Sequence, residues 1–158
     1  MLRFNPINVL FLCTGNSARS IMSEAILNDI GKDNFIAWSA GSKPSKKPHP
    51  DALRELFNRG HSIESYRSKS WSEFTAGPAM DIVITVCDNA AKESCPIFPG
   101  KGIKIHWPAF DPVSIGDPDE RAKSFCDVYD IFYSRITKLV SLPLECLSNK
   151  SLLQSISN

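Results

Sequence analysis

Residues 7–12, INVLFL, are apolar except for Asn8, and the stretch that follows, CTGNSARS, leads into a segment with apolar residues at helical spacing. An apolar run of strand length belongs to a strand covered on both faces, as in parallel sheets. Parallel neighbours cannot be joined by a tight hairpin and need a crossover, so this one feature points to an α/β chain.

The rest of the chain repeats the alternation. Strand-like runs fall at 35–40, 81–87 and 103–107, the last short enough for an edge strand. Helical spacing appears at 20–32, with Ile21, Met22, Ala25, Ile26 and Ile30, and at 50–58, with Leu53, Leu56 and Phe57 on one side and Gly60 as a stop. A long helix is expected from about 118 to 140, burying Phe125, Val128, Tyr129, Phe132, Ile136 and Leu139. The order implies an α/β sandwich with a mostly parallel sheet and right-handed crossovers. With no repeat and no dividing linker, 1–158 reads as one domain, residues 144–158 forming a C-terminal extension that frays.

Charge and cysteine usage exclude several classes. Eighteen Lys and Arg against 17 Asp and Glu leave a formal charge of +1, too little to argue for nucleic acid or an anionic membrane surface. The apolar run near the N-terminus is too short for a signal peptide or a membrane span. Five cysteines, an odd number in a chain with a proper core, do not form a secreted disulfide framework, so a cytoplasmic protein with free thiols is expected.

At the carboxyl end of the first strand, where α/β folds gather ligands, lies Cys13-Thr14-Gly15-Asn16-Ser17-Ala18-Arg19-Ser20, a C-x5-R loop. Gly15 and Asn16 tolerate positive φ, so successive N–H groups can curl around a tetrahedral oxyanion. The following helix adds the positive end of its dipole, and Arg19 a bidentate fork. The same surroundings should hold Cys13 as a thiolate, with Ser20 donating to the sulfur. Two Asp-Pro pairs lie downstream. Asp117-Pro118 has the pattern of a helix N-cap, whereas Asp111-Pro112 sits in a loop on the cradle's side and is the candidate general acid. Cys87 ends a strand on the edge where Cys13 lies, and Cys95 follows eight positions later. That is not zinc spacing; a buried Cys87 with a chance Cys95 is the plain alternative.

On CTGNSARS, the downstream Asp-Pro and the segment VCDNAAKESCP, the chain resembles the low-molecular-weight protein tyrosine phosphatase superfamily, over nearly its whole length. The resemblance implies a three-layer α/β sandwich with a central four-stranded sheet. It also implies a thiol–oxyanion adduct on Cys13, with Asp111 as acid. The Cys87 and Cys95 pair, and the His-Trp ahead of Phe-Asp-Pro, resemble its arsenate reductase branch, in which Cys87 would take Cys13 into a disulfide and Cys95 would carry it outward. A thiol reductant, thioredoxin or glutathione with glutaredoxin, is then the co-substrate; phosphate is the competing oxyanion, no cofactor is tightly bound, and a monomer is expected. Two other readings stay open: a phosphatase using Cys13, Arg19 and Asp111 alone, and a non-catalytic redox or anion sensor.

Eight residues of helix rise about 12 Å, while bridged Cα atoms lie within roughly 7 Å, so a helix between Cys87 and Cys95 must unwind for them to join. Ala18 stands where several thioredoxin-coupled relatives of that branch carry a second cysteine. Some members also bind potassium near the cradle; Asn16, Glu24 and Ser39 offer oxygens here, but Lys69 supplies an ammonium, so no metal is expected. Cys126 is read as core-facing or inert, Cys146 as incidental, His49, His61 and His106 as packing or loop residues, and 43–48, KPSKKP, as a solvated loop.

Overall fold

The computed structural model describes residues 5–158. Four strands, β1 (Ile7–Cys13), β2 (Phe35–Gly41), β3 (Ile82–Thr85) and β4 (Ile103–His106), form one sheet in the order β2-β1-β3-β4, every pairing parallel. The sheet is covered by α1 (Arg19–Ile30), α2 (Pro50–Asn58), α4 (Pro118–Ser141) and α5 (Lys150–Ser155), while the short α3 (Asp88–Lys92) follows β3. Short 3-10 turns occupy Trp71–Phe74, Pro112–Ser114 and Leu144–Ser148.

Strand side chains alternate, so the two sheet faces feed different cores. Val9, Phe11, Ile82 and Ile84 join the larger cluster with Ile21, Ile26, Leu56, Phe125 and Phe132 from the helices. Leu10, Leu12 and Val83 point the other way, onto Phe74, Met80 and Phe98 from irregular segments. The α/β class and the four-stranded parallel sheet are therefore the expected ones, with helices on one face and a layer of 3-10 turn and loops on the other.

Helix α4 buries the six residues named from its spacing, and Asp117 caps it, accepting from the Glu120 amide at 2.9 Å. Helix α2 departs from its expected stripe: Asp51, Ala52 and Leu56 are buried and Phe57 is 67% exposed. The turn of the helix is set by Asp51, which accepts from Arg121 of α4 at 2.7 Å. The tail does not fray. Leu153 and Ile156 are buried, the indole of the fully buried Trp107 donates to the Leu153 carbonyl at 3.0 Å, and the Gln154 amide bonds both the N–H and the carbonyl of His106 on β4.

Candidate active site

Strands β1 and β3 are parallel neighbours with Leu12 opposite Thr85, and the Val86 amide donates to the Leu12 carbonyl at 2.9 Å. This register brings Cys13 and Cys87 to the same end of the sheet. Because β2 lies on one side of β1 and β3 on the other, the loops after β1 and β3 diverge there, leaving the crevice in which such folds bind ligands. Cys13, Thr14, Gly15, Ser17, Ala18, Arg19, Cys87 and Asp111 line one cavity of about 190 Å³.

The loop after β1 is held from behind. Its carbonyls accept from the segment after β2: Lys43 N–H to Thr14 at 3.0 Å, Ser45 N–H to Gly15 at 2.9 Å and His49 N–H to Ser17 at 2.9 Å. With the carbonyls engaged on that side, the amides are free to face the cavity. Helix α1 begins without a side-chain cap at Ala18, which leaves first-turn N–H groups to an anion. Of the two loop residues expected to tolerate positive φ, only Asn16 adopts it, at 46°; Gly15 does not. Gly41, which the sequence did not single out, is needed by close approach. A Cβ there would lie 2.3 Å from the Thr14 carbonyl and 2.8 Å from that of Cys13. The 43–48 stretch is thus only partly a solvated loop, its lysines exposed and its backbone bracing the cradle.

Asn16 is fully buried, so it holds the loop rather than lining the cavity. Its amide donates to Ser20 Oγ at 2.8 Å and Ser39 Oγ at 3.0 Å, and its carbonyl accepts from the Lys69 backbone at 2.9 Å. Ser20, expected to donate to the Cys13 sulfur, makes its hydrogen bond with Asn16 instead and has none to that sulfur. The Lys69 ammonium lies among Ser39 Oγ (3.3 Å), the Arg67 carbonyl (3.1 Å) and Glu24 Oε1 (3.7 Å), and Ser39 donates to Glu24 at 2.5 Å. Burial pushes the Glu24 carboxyl up and the Lys69 ammonium down, and each is opposed by the charge of the other. The oxygens that could ligate a monovalent cation thus surround an ammonium. Among the described residues no group of three or more His, Cys, Asp or Glu side chains is placed to hold a metal.

The two cavity thiols share a hydrogen bond and titrate as a pair. Cys87 is drawn down to about 5 by the Cys13 thiol, by the Ala90 N–H that its sulfur accepts at 3.4 Å, and by Thr14. Cys13 is held above the ordinary thiol range by that same bond and by burial, against the pull of Arg19. At neutral pH the pair therefore shares one proton and one negative charge across the Cys13–Cys87 hydrogen bond. Both sulfurs have groups that favour the charge: Cys87 has the Ala90 N–H as the cap of α3, Cys13 has Arg19, and the Thr14 N–H serves both. Arg19 donates to the Ala109 carbonyl at 3.0 Å and lies 3.8 Å from Asp111, whose other oxygen accepts from the Val113 amide at 3.0 Å.

Cys95 is not brought into this cavity. It packs on the second core cluster, where Lys104 Nζ donates to its sulfur at 3.1 Å, and it lines a separate groove with Pro96, Ile97 and Phe98. Between the two cysteines only α3 is helical. Glu93 then turns its carboxylate onto Thr14 Oγ1, at 3.0 Å, and onto Ser42 Oγ. No local pattern marked Glu93 or Ser42. Cys126 is half-buried and accepts from Arg59 at 3.2 Å, so it does not face the core. His49 caps α2 and stacks on Phe125, and His61 bonds the Tyr129 hydroxyl.

A family model described as low molecular weight phosphotyrosine protein phosphatase matches residues 8–151. An arsenate reductase of Shouchella clausii is 33% identical over 131 residues, covering 82% of this chain and 92% of that protein. Among solved structures, an arsenate reductase from Archaeoglobus fulgidus superposes with a TM-score of 0.67 at 26% identity, over 85% of this chain and 99% of that one. A thioredoxin-dependent arsenate reductase of Corynebacterium glutamicum does so with a TM-score of 0.62 at 26% identity, over 87% of this chain; the chain spans 62% of that structure's length. No helix among the described residues is long and apolar enough to cross a membrane.

Proposed function

The chain belongs to the low molecular weight phosphotyrosine protein phosphatase family, and we propose that it is an arsenate reductase working by a thiol and disulfide relay. The observation that carries this reading is the pairing of Cys13 with Cys87 in the cavity that also holds Arg19 and Asp111. Hydrolysis of a phosphate ester needs one sulfur nucleophile; reduction of As(V) to As(III) needs two electrons, which two thiols supply by becoming a disulfide.

The chemistry follows from the placement of the groups. Arsenate has the charge and shape of phosphate, and the loop amides with Arg19 hold its oxygens. Cys13 attacks arsenic as the thiolate, favoured by Arg19 and the Thr14 N–H while the pair's shared proton rests on Cys87, and Asp111 protonates the departing oxygen so that it leaves as water. Cys87 gives that proton to the Asp111 carboxylate, which the previous step left deprotonated in the same cavity, and attacks the Cys13 sulfur. The S–As bond breaks with its electron pair on arsenic, releasing arsenite and leaving Cys13–Cys87. Cys95 then attacks Cys87, which frees Cys13, and an external dithiol reduces the Cys87–Cys95 bond. Thioredoxin or glutaredoxin fits that last role, and thioredoxin is the reductant named for the Corynebacterium relative. Free thiols throughout accord with a reducing, cytoplasmic setting.

Arsenate reduction with each thiol donor, measured beside p-nitrophenyl phosphate hydrolysis for the wild type and Cys87→Ser, tests the reading. Reduction is expected to fall to background in the variant while hydrolysis is largely kept. Reduction surviving in Cys87→Ser, or hydrolysis without reduction in the wild type, would overturn it, the latter in favour of a phosphatase. Neither turnover in the wild type would leave a sensor.

A further inference from the structure

The segment between Cys87 and Cys95 is fastened over the oxyanion loop by one side chain. Helix α3 ends at Lys92, and Glu93, extended at φ −74° and ψ 147°, turns back toward β1 and β2. Its Oε1 accepts from Thr14 Oγ1 at 3.0 Å and its Oε2 from Ser42 Oγ. The same Thr14 hydroxyl touches Cys87 Sγ at 3.7 Å. Beyond Glu93 the chain passes to the other face of the sheet, where Cys95 packs against the cluster that holds Leu10, Leu12 and Val83.

A helix of five residues does not hold itself together. It is capped by the Cys87 sulfur through the Ala90 amide, and a sulfur that enters a disulfide is a poorer acceptor and turns toward Cys13. The cap therefore weakens just when Cys95 must come over. Three side-chain contacts still hold the segment, one of them from Lys104 to the travelling Cys95 sulfur at 3.1 Å, which the flexible lysine can give up to water. Asp88 bonds His106 at 3.0 Å, but it adjoins Cys87, so the residues beyond it can swing while that contact persists. Glu93 lies on the Cys95 side and must let go.

We propose that Glu93 is a latch: a positioning residue that fastens the 87–95 segment to the oxyanion loop in the dithiol state, and whose release from Thr14 and Ser42 gates transfer of the disulfide from Cys13–Cys87 to Cys87–Cys95. The proposal rests on the relay described above. In the gated step the Cys95 sulfur attacks Cys87, one S–S bond forms as another breaks, and the proton lost by Cys95 ends on Cys13, with no net oxidation. The closed latch also keeps Cys95 from Cys87 before substrate arrives, so that the two thiols are not oxidised idly. Glutamate suits the task because both its oxygens accept; a glutamine side chain has only one acceptor oxygen.

Amide hydrogen exchange on the full-length reduced protein, for the wild type, Glu93→Ala and Glu93→Gln, tests the latch. Hydrogen bonds to a charged group contribute enough that amides 88–95 should exchange at least about tenfold faster in Glu93→Ala, with Glu93→Gln between the two and the rest of the chain unchanged. Oxidation of the same proteins by diamide, with the disulfide mapped by mass spectrometry, should close Cys87–Cys95 faster in Glu93→Ala by a similar factor. Unchanged exchange and closure, or exchange raised across the whole chain, would overturn the proposal. Both measurements are made without arsenate, so failure here is distinct from failure of the reductase reading.

Discussion

Lys69 and Asn16 are joined from both ends: the Lys69 amide donates to Asn16 Oδ1 at 2.9 Å, and its ammonium reaches Ser39 Oγ at 3.3 Å, the hydroxyl that also accepts from Asn16 Nδ2 at 3.0 Å. Asn16 is the residue of the oxyanion loop with positive φ, so a buried cation outside the cavity sets the shape of the loop inside it. Replacing Lys69 by methionine leaves the Glu24 carboxylate buried without its partner, a loss of about 3–5 kcal/mol in stability. Lys69→Met should melt lower and show a raised KM for oxyanions, and Lys69→Met with Glu24→Gln should regain part of the stability. A single variant that melts with the wild type would show that the ammonium does not hold the loop.

The thiol pair makes a prediction in pH. With Cys87 drawn down to about 5 and Cys13 held up, absorbance near 240 nm should show one thiolate from the pair appearing as pH rises through about 5, and no second one across the neutral range. In Cys13→Ser the largest cause of the Cys87 shift is gone, so that thiolate should appear at higher pH. The sign for stability is the same. A thiol depressed in the folded state stabilises fully above its unfolded value, about 8.5, and the contribution is lost as pH falls through about 5. Two thiolates at pH 7, or none, would contradict the shared proton.

Gly41 tests how tightly the cradle is braced. A methyl group there meets the Thr14 carbonyl at 2.3 Å and the Asn16 amide at 3.0 Å, all backbone, so the loop itself must shift. A displacement of about 1 Å at a reacting centre costs on the order of 100-fold in rate. Gly41→Ala should lose activity by roughly that factor while keeping the far-ultraviolet circular dichroism of the native fold. Full activity would mean that the loop has slack.

The C-terminal segment is part of the core. Leu153 is fully buried beside Trp107, whose indole donates to the Leu153 carbonyl. Leu153→Ala is expected to cost about 2–5 kcal/mol, read as a fall in the midpoint of chemical denaturation. Urea curves that coincide with those of the wild type would instead place the tail outside the cooperative unit.

Much of this was legible from local pattern. Helix α2 keeps the bounds given by its spacing, and the six buried positions of α4 are those its periodicity marks, because both signals are written within a single element. What escaped is tertiary. Gly41 is required by another strand's loop, Glu93 is used by Thr14 and Ser42, and Leu153 and Gln154 are fixed by β4. The coupling of Cys13 to Cys87 escaped for a related reason: Arg19 and the helix N-terminus can be seen in the motif, but the bond between the two sulfurs and the Ala90 cap on Cys87 come together only when the chain folds. Cys95 shows the limit of spacing alone, since eight residues fix its reach and leave open which side of the sheet it rests on.

The side chain of Gln154 has a further effect. By accepting from the His106 amide at 2.8 Å and donating to the same residue's carbonyl, it takes the ladder positions on the open side of β4 that a strand from another molecule would use. Parallel sheets with a bare border invite such additions. Here one amide group stands where a fifth strand would begin, and the last helix blunts the border at that point.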